Sequence, residues 1–138
     1  MKFATPLLAA SLFATAAFAQ TQAVTIEVNG VAEAKGFILV SAFDKADGWL
    51  KRPAQYARVD AKVGMVSVTV PDLAEGEYAF SVIHDVNANN KLDSNAIGIP
   101  TEPYGFSNDA AGTFGPPKFE DARVKVGKGA TKFSVKLN

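Results

Sequence analysis

Apolar and polar residues alternate along most of this chain, with the two-residue period of half-buried strands. In AVTIEVN, Val24, Ile26 and Val28 fall on one face, and Thr25 and Glu27 on the other. GFILVSAF, residues 36–43, is apolar on both faces and predicts a central strand. QYARVDA, residues 55–61, is a weaker strand. GMVSVTV sets Val66, Val68 and Val70 against Ser67 and Thr69, and EYAFSVIH sets Tyr78, Phe80 and Val82 on one side. Near the C-terminus ARVKV and TKFSVKL alternate again, joined by GKGA, which reads as a hairpin-like turn. No window predicts a substantial amphipathic helix. About seven short strands, punctuated by turn dipeptides such as Asn29-Gly30, Asp47-Gly48 and Glu75-Gly76, predict an all-β, two-sheet antiparallel sandwich.

One segment breaks the rhythm. From Asp85 to Asp121 the chain reads DVNANNKLDSNAIGIPTEPYGFSNDAAGTFGPPKFED, with no clear strand or helix period. Inert loops rarely exceed about 12–15 residues. This one carries Leu92, Ile97, Ile99, Tyr104, Phe106, Phe114 and Phe119, more apolar material than a solvated linker needs. It is therefore expected to be ordered, with its aromatics packed on one end of the sandwich. Short helical turns are expected near Ser107–Ala111 and Pro117–Ala122.

The first nineteen residues, MKFATPLLAASLFATAAFA, stand apart. Lys2 is their only charge, and an apolar stretch closes on Ala17-Phe18-Ala19, a small-x-small cleavage pattern. This predicts a signal peptide over 1–19, cleavage before Gln20, and one β-sandwich domain over 20–138. The apolar stretch falls short of the roughly 20 residues a spanning helix needs. The mature chain is thus expected to be exported, periplasmic or secreted, without a membrane span.

The chain has 14 Lys and Arg against 14 Asp and Glu, so loss of Lys2 leaves a slight acidic excess. No basic surplus exists to attract a phosphate backbone, which argues against nucleic acid as a partner. There is no cysteine. An N-terminal lipid anchor on cysteine is excluded, and an exported domain without disulfides must rely on its core, a bound metal, or both.

The stretch HDVNANNKLD carries the densest candidate chemistry. Calcium loops of the D-x-[DN]-x-[DN]-G type place oxygen donors at alternate positions around a hard cation. Asp85, Asn87 and Asn89 fill positions 1, 3 and 5, the Lys91 carbonyl falls at 7, and Asp93 at 9. Asn90 stands at position 6, where glycine is usual and asparagine tolerates the same left-handed backbone. Position 12 calls for a bidentate Glu and holds Ala96. Another carboxylate (Glu102, Asp109, Glu120 or Asp121) or water would have to complete the shell. Calcium is the one candidate cofactor, at an affinity of roughly 10⁻⁴–10⁻³ M. The alternative is a metal-free polar turn, because Asn and Asp accumulate in turns for backbone reasons alone. His84, the only histidine, is either a hydrogen-bonded ring at the strand end or a ligand or proton carrier beside Asp85.

Three stretches, LAEGEYAFSVIHDVNANNKLD, GIPTEPYGFSND and GTFGPPKFEDA, occur here in that order. Together they closely resemble the bacterial secreted family catalogued as domain of unknown function 2141, and the resemblance runs from about Val24 to Leu137. It implies an exported, single-domain sandwich similar to immunoglobulin-like or transthyretin-like modules. The family usually has Asp or Asn followed by Gly in the middle of the first stretch, where this chain has Asn89-Asn90. The resemblance implies fold and compartment but no activity.

Three functions compete. A non-enzymatic binding module would present His84, Glu102, Tyr104, Phe106, Phe114 and Trp49 to a small molecule, glycan, peptide or envelope protein; the alternative is that the rings simply fill a small accessory core. A hydrolase would need a carboxylate pair in the long loop, such as Asp85 with Glu102 or Asp121. No G-x-S-x-G elbow supports a serine nucleophile. An envelope assembly component would act by strand pairing at an exposed edge. The residues favour the non-enzymatic module.

Overall fold

A computed structural model describes residues 2–4, 9–14 and 20–138. Residues 2–4 and 9–14 are exposed and carry no regular secondary structure. The Ala17-Phe18-Ala19 pattern, on which the signal-peptide expectation rests, lies outside the described residues. Among the described residues no helix is long and apolar enough to cross a membrane.

The body is an all-β sandwich of two sheets. Its strands are β1 (Thr21–Val31), β2 (Phe37–Phe43), β3 (Gln55–Asp60), β4 (Gly64–Ala74), β5 (Gly76–Asp85), β6 (Tyr104–Phe106), β7 (Arg123–Val126) and β8 (Lys132–Lys136). One sheet has the order β4-β1-β8. The other has the order β3-β2-β5-β6, with β7 also paired to β5. β2 is central, as its two apolar faces predict. The strand absent from the sequence pattern is β6, three residues inside the long segment.

The alternation predicts the core. Val24, Ile26 and Val28 of β1 and Val66, Val68 and Val70 of β4 face Ile38, Val40 and Ala42 of β2 and Phe80 and Val82 of β5, all buried. Each large side chain so buried contributes roughly 1.5–3 kcal/mol. Phe80 stacks on Phe133 of β8 at 6.0 Å between ring centroids, which ties the two sheets together.

Two pairings correct the local reading. Residues 127–130 form a tight turn, in which the Ala130 N–H donates to the Gly127 carbonyl at 2.9 Å. Yet β7 and β8 are no hairpin. β7 pairs antiparallel with β5, and β8 pairs parallel with β1, so the turn carries the chain from one sheet to the other. A turn motif reports that the chain reverses, not which strand it then pairs with. The parallel β1–β8 pairing carries one cross-strand ion pair, Lys132 Nζ to Glu27 Oε1 at 2.8 Å.

The long segment is ordered, but it does not gather at one end of the sandwich. It runs over the outer face of the five-stranded sheet. β6 pairs with Ser81–Ile83 and β7 with Gly76–Ala79, so the chain travels the length of β5. On that face Phe43, Ala79, Phe106, Phe119 and Ala122 form a second core, with Trp49, Tyr104 and Ala110 packed against it. The expected helical turns are present at Ser107–Asp109 and as α1, Phe119–Ala122. The Ser107 hydroxyl is fully buried and donates to the Ala122 carbonyl, and its oxygen accepts the Phe80 N–H at 2.9 Å. One side chain thereby joins the Ser107 turn both to β5 beneath it and to α1.

Candidate functional site

The Asp85–Asp93 loop begins where β5 runs out beneath the connection between β1 and β2. Gly36 in that connection has φ +66°, and a β-carbon there would overlap the Asp85 carbonyl and meet the Val86 carbonyl at 2.8 Å. Glycine therefore lets two backbones touch and fixes where the loop starts. His84 is buried beside this contact, with Nε2 2.7 Å from the Lys35 carbonyl. That acceptor requires the proton on Nε2. Nδ1 is buried and has no hydrogen-bond partner among the described residues.

Asp85 is 1% exposed and organises the turn from within. Its Oδ1 accepts the Asn89 N–H at 3.2 Å, and its Oδ2 accepts the Asn90 N–H at 2.7 Å. Ala88 and Asn90 take left-handed φ of 57° and 65° to aim those donors inward. Asparagine at position 90 thus does the backbone work anticipated for it. Its side-chain oxygen also accepts from Arg58 of β3 at 3.1 Å, a contact with no signal in the sequence.

Asp93 closes the loop. The Asn87 amide donates to its Oδ2 at 2.6 Å and the Asn89 amide to its Oδ1 at 2.7 Å. The two amide bonds, that of Asn89 first, hold the Asp93 carboxyl below its ordinary range. The same amides turn their oxygens to backbone: Asn87 Oδ1 accepts the Asn89 N–H and Asn89 Oδ1 the Lys91 N–H, both at 3.3 Å.

Glu102 is the carboxylate that comes back to this loop from sixteen residues away. Its Oε2 accepts the Val86 N–H at 2.7 Å and its Oε1 the Asp93 N–H at 3.0 Å. The other carboxylates considered at position 12 lie elsewhere. Asp109 accepts the Lys136 N–H at 2.9 Å. Glu120 and Asp121 are exposed on α1, and α1 leads into the Ala79–Arg123 pairing. That pairing is six residues along β5 from Asp85, about 20 Å at strand rise.

The loop therefore brings Asp85, Asn87, Asn89 and Asp93 into one hydrogen-bonded turn, with Glu102 bracing both ends. Among the described residues no group of three or more His, Cys, Asp and Glu is arranged to hold a metal. The side chains gathered in the turn are two carboxylates and two amides, and of Lys91 only the N–H takes part, donating to Asn89 Oδ1. Each carboxylate oxygen retains a lone pair beyond the bond it accepts.

The six residues considered as a ligand surface do not share one. His84, Glu102 and Phe106 are buried. Trp49 and Tyr104 are half-buried. The Trp49 ring lies 5.0 Å from Phe43, 5.8 Å from Phe106 and 6.0 Å from Phe119, and its N–H donates to the Pro117 carbonyl at 2.8 Å. These rings fill the second core, because the outer face of β5 offers apolar Ala79 for them to cover. Phe114 alone of the six projects wholly into solvent.

No curated protein and no solved structure gives a significant match to the chain. A family model described as "Uncharacterized protein conserved in bacteria" matches residues 26–134, which run from within β1 to within β8 and include the whole Asp85–Asp93 loop. The chain belongs to that family, DUF2141.

Proposed function

We propose that this chain is an exported, non-enzymatic β-sandwich module whose Asp85–Asp93 loop takes a calcium ion as a structural element. The carrying observation is the convergence of Asp85, Asn87, Asn89 and Asp93 on one turn whose left-handed Ala88 and Asn90 are already set. Calcium entry exchanges the amide N–H bonds of Asn87 and Asn89 to Asp93 for oxygen contacts. The two amides must turn and so give up their long oxygen contacts to the Asn89 and Lys91 N–H groups, while Asp85 and Glu102 hold the backbone frame. With two carboxylates in the shell, affinity falls in the range of roughly 10⁻⁴–10⁻³ M, which suffices outside cells.

The geometry supports a non-catalytic role for the acid pair. All four carboxylate oxygens of Asp85 and Glu102 accept backbone N–H groups. A general acid must carry a proton on one of those oxygens, and a protonated oxygen here would face an N–H donor. The pair is suited to holding a turn.

Thermal melting in about 10 mM calcium against chelator tests the proposal, because a cation at ten times its dissociation constant stabilises by about 1.4 kcal/mol. The melting temperature rises for the native chain and does not for Asp93→Ala. Identical curves for the native chain in calcium and in chelator would remove the metal.

A second reading rests on Phe114. Its backbone sits at φ 61° and its ring is fully exposed, a conformation that is costly for a bulky residue. That combination supports contact of the loop tip with an apolar part of a glycan, peptide or envelope protein. Thermal shift across such probes, with Phe114→Ser as control, checks it; a response unchanged by the substitution would count against the tip.

A further inference from the structure

Residues 20–138 hold a single sulfur atom. The chain has no cysteine, and Met65 is its only methionine beyond Met1. Met65 lies in β4 where the strand passes a bulge. Val28 pairs with Val66 and Val31 with Gly64, so Asn29 and Gly30 of β1 stand opposite Met65 alone. Gly30 takes a left-handed φ of +84° at this point. The core face continues on either side through Val31 and Val66, both buried, while Met65 is left outside it, 53% exposed. Its side chain helps to line an open groove of about 420 Å³, together with Val59, Asp60, Lys62, Val66 and Ser67. The Ser67 hydroxyl, two residues along the same face, donates to Met65 Sδ at 3.7 Å. A thioether is a weak acceptor, so this donor is aimed at an atom that uses little of its capacity.

We infer that Met65 is a site of reversible oxidation by hydrogen peroxide, and that the Ser67 hydroxyl holds the sulfoxide oxygen once it forms. One peroxide oxygen is transferred to Sδ, the O–O bond breaks, and the other oxygen leaves as water. The sulfur is oxidised and the peroxide is reduced. Exposure gives the peroxide a path to the sulfur lone pairs. Oxidation of methionine disrupts a protein when the thioether belongs to a core. Here the buried side chains of β4 are Val66, Val68, Val70 and Leu73, and Met65 is not among them. Asp60 and Lys62 at the groove are exposed, so the new polar group meets a charged, wet rim. The sulfoxide oxygen is a stronger acceptor than sulfur, and it lies one bond from the atom that Ser67 already contacts. The fold therefore accommodates the change, and a wall of the groove turns from apolar to polar. Methionine sulfoxide reductases, one for each epimer, reverse it. This inference is independent of calcium, because the Asp85–Asp93 loop belongs to the other sheet.

Treatment of the folded chain with hydrogen peroxide tests it, read by the mass of the tryptic peptide 63–91, which contains Met65 and no tryptophan. That peptide is expected to gain one oxygen. The same peptide from Met65→Leu gains none, and the two epimer-specific reductases together restore the original mass. Circular dichroism of the oxidised native chain is expected to match that of the reduced chain. Its melting temperature is expected to shift less on oxidation than that of Ser67→Ala, where the sulfoxide has lost its donor. A peptide that stays reduced at peroxide levels that convert free methionine overturns the inference. So does an oxidised native chain that loses its fold. An equal shift in the native and Ser67→Ala chains overturns the part given to Ser67.

Discussion

Glu102 and Asp93 are joined end to end: the backbone N–H of Asp93 donates to Oε1 of Glu102 at 3.0 Å, while the other oxygen takes the Val86 N–H. A single carboxylate thus spans the mouth of the loop and sets the separation of its two ends. Glu102→Gln keeps the shape but offers one acceptor where two are needed, and its NH₂ would face an N–H. The expected cost is about 1.5–3 kcal/mol, the scale of a hydrogen bond to a charged group. Urea unfolding measures it. A loss below about 0.5 kcal/mol, the scale of an ordinary surface change, would show that the brace carries no stability.

Asp93 should report the loop directly in a pH titration. The amides of Asn89 and Asn87 stabilise its ionised form and hold its pKa below the ordinary 3.8. A carboxyl whose folded pKa lies below its unfolded one stabilises the fold above the unfolded value. That stability fades as pH falls through the folded value. The loop should therefore hold above about pH 4 and loosen below it. Carboxyl-carbon NMR in chelator should place Asp93 below the ordinary value. In Asn87→Ala with Asn89→Ala it should move back up toward 3.8. An unmoved titration would mean that the amides do not hold the charge.

Most of the sandwich was legible because half-buried strands write their burial into alternate residues. Val24, Ile26 and Val28, or Val66, Val68 and Val70, show the core face in the sequence itself. β6 was not legible, since three residues cannot establish a period and Tyr104–Phe106 is a strand only because β5 offers it a free edge. The destination of the chain after GKGA was hidden for a related reason: local turn chemistry is indifferent to which sheet comes next. At the loop, Asp85, Asn87, Asn89 and Asp93 share one short stretch and could be read together. The roles of Glu102 and Arg58 depend on long-range folding, so composition alone could only offer Glu102 as one carboxylate among several. Of the two readings of the aromatics, an exposed surface and an accessory core, Trp49, Tyr104, Phe106 and Phe119 follow the core and Phe114 does not; the sequence could not choose, because the uncovered face of β5 that draws the rings is defined only by the long-range pairing.

Gly105 tests how β6 closes the sandwich. It sits opposite Val82 on the inner side, and a β-carbon there would lie 2.6 Å from the Lys136 carbonyl oxygen and 2.8 Å from a Val135 methyl. Backbone must move to admit it. Gly105→Ala should cost about 1–3 kcal/mol, the range for overpacking. Amide exchange should rise at Tyr104 and Phe106 of β6 before it rises in β5. Native-like protection at both amides would mean that β8 yields instead of β6.

Trp49 and Phe114 are both aromatic, and the loop treats them oppositely. Trp49 touches three rings and anchors the Pro117 carbonyl, so Trp49→Ala removes a wedge from the second core and should cost about 3 kcal/mol or more. Phe114 touches solvent and holds a left-handed backbone that glycine adopts at no steric cost. Phe114→Gly should therefore leave stability unchanged within about 0.5 kcal/mol, or raise it slightly as the strain is relieved. Because Trp49 is the only tryptophan, its fluorescence in the native and Phe114→Gly proteins follows the second core without a label. Equal melting of all three proteins would mean that the rings on the outer face of β5 do not form a core at all. The long segment would then need another anchor.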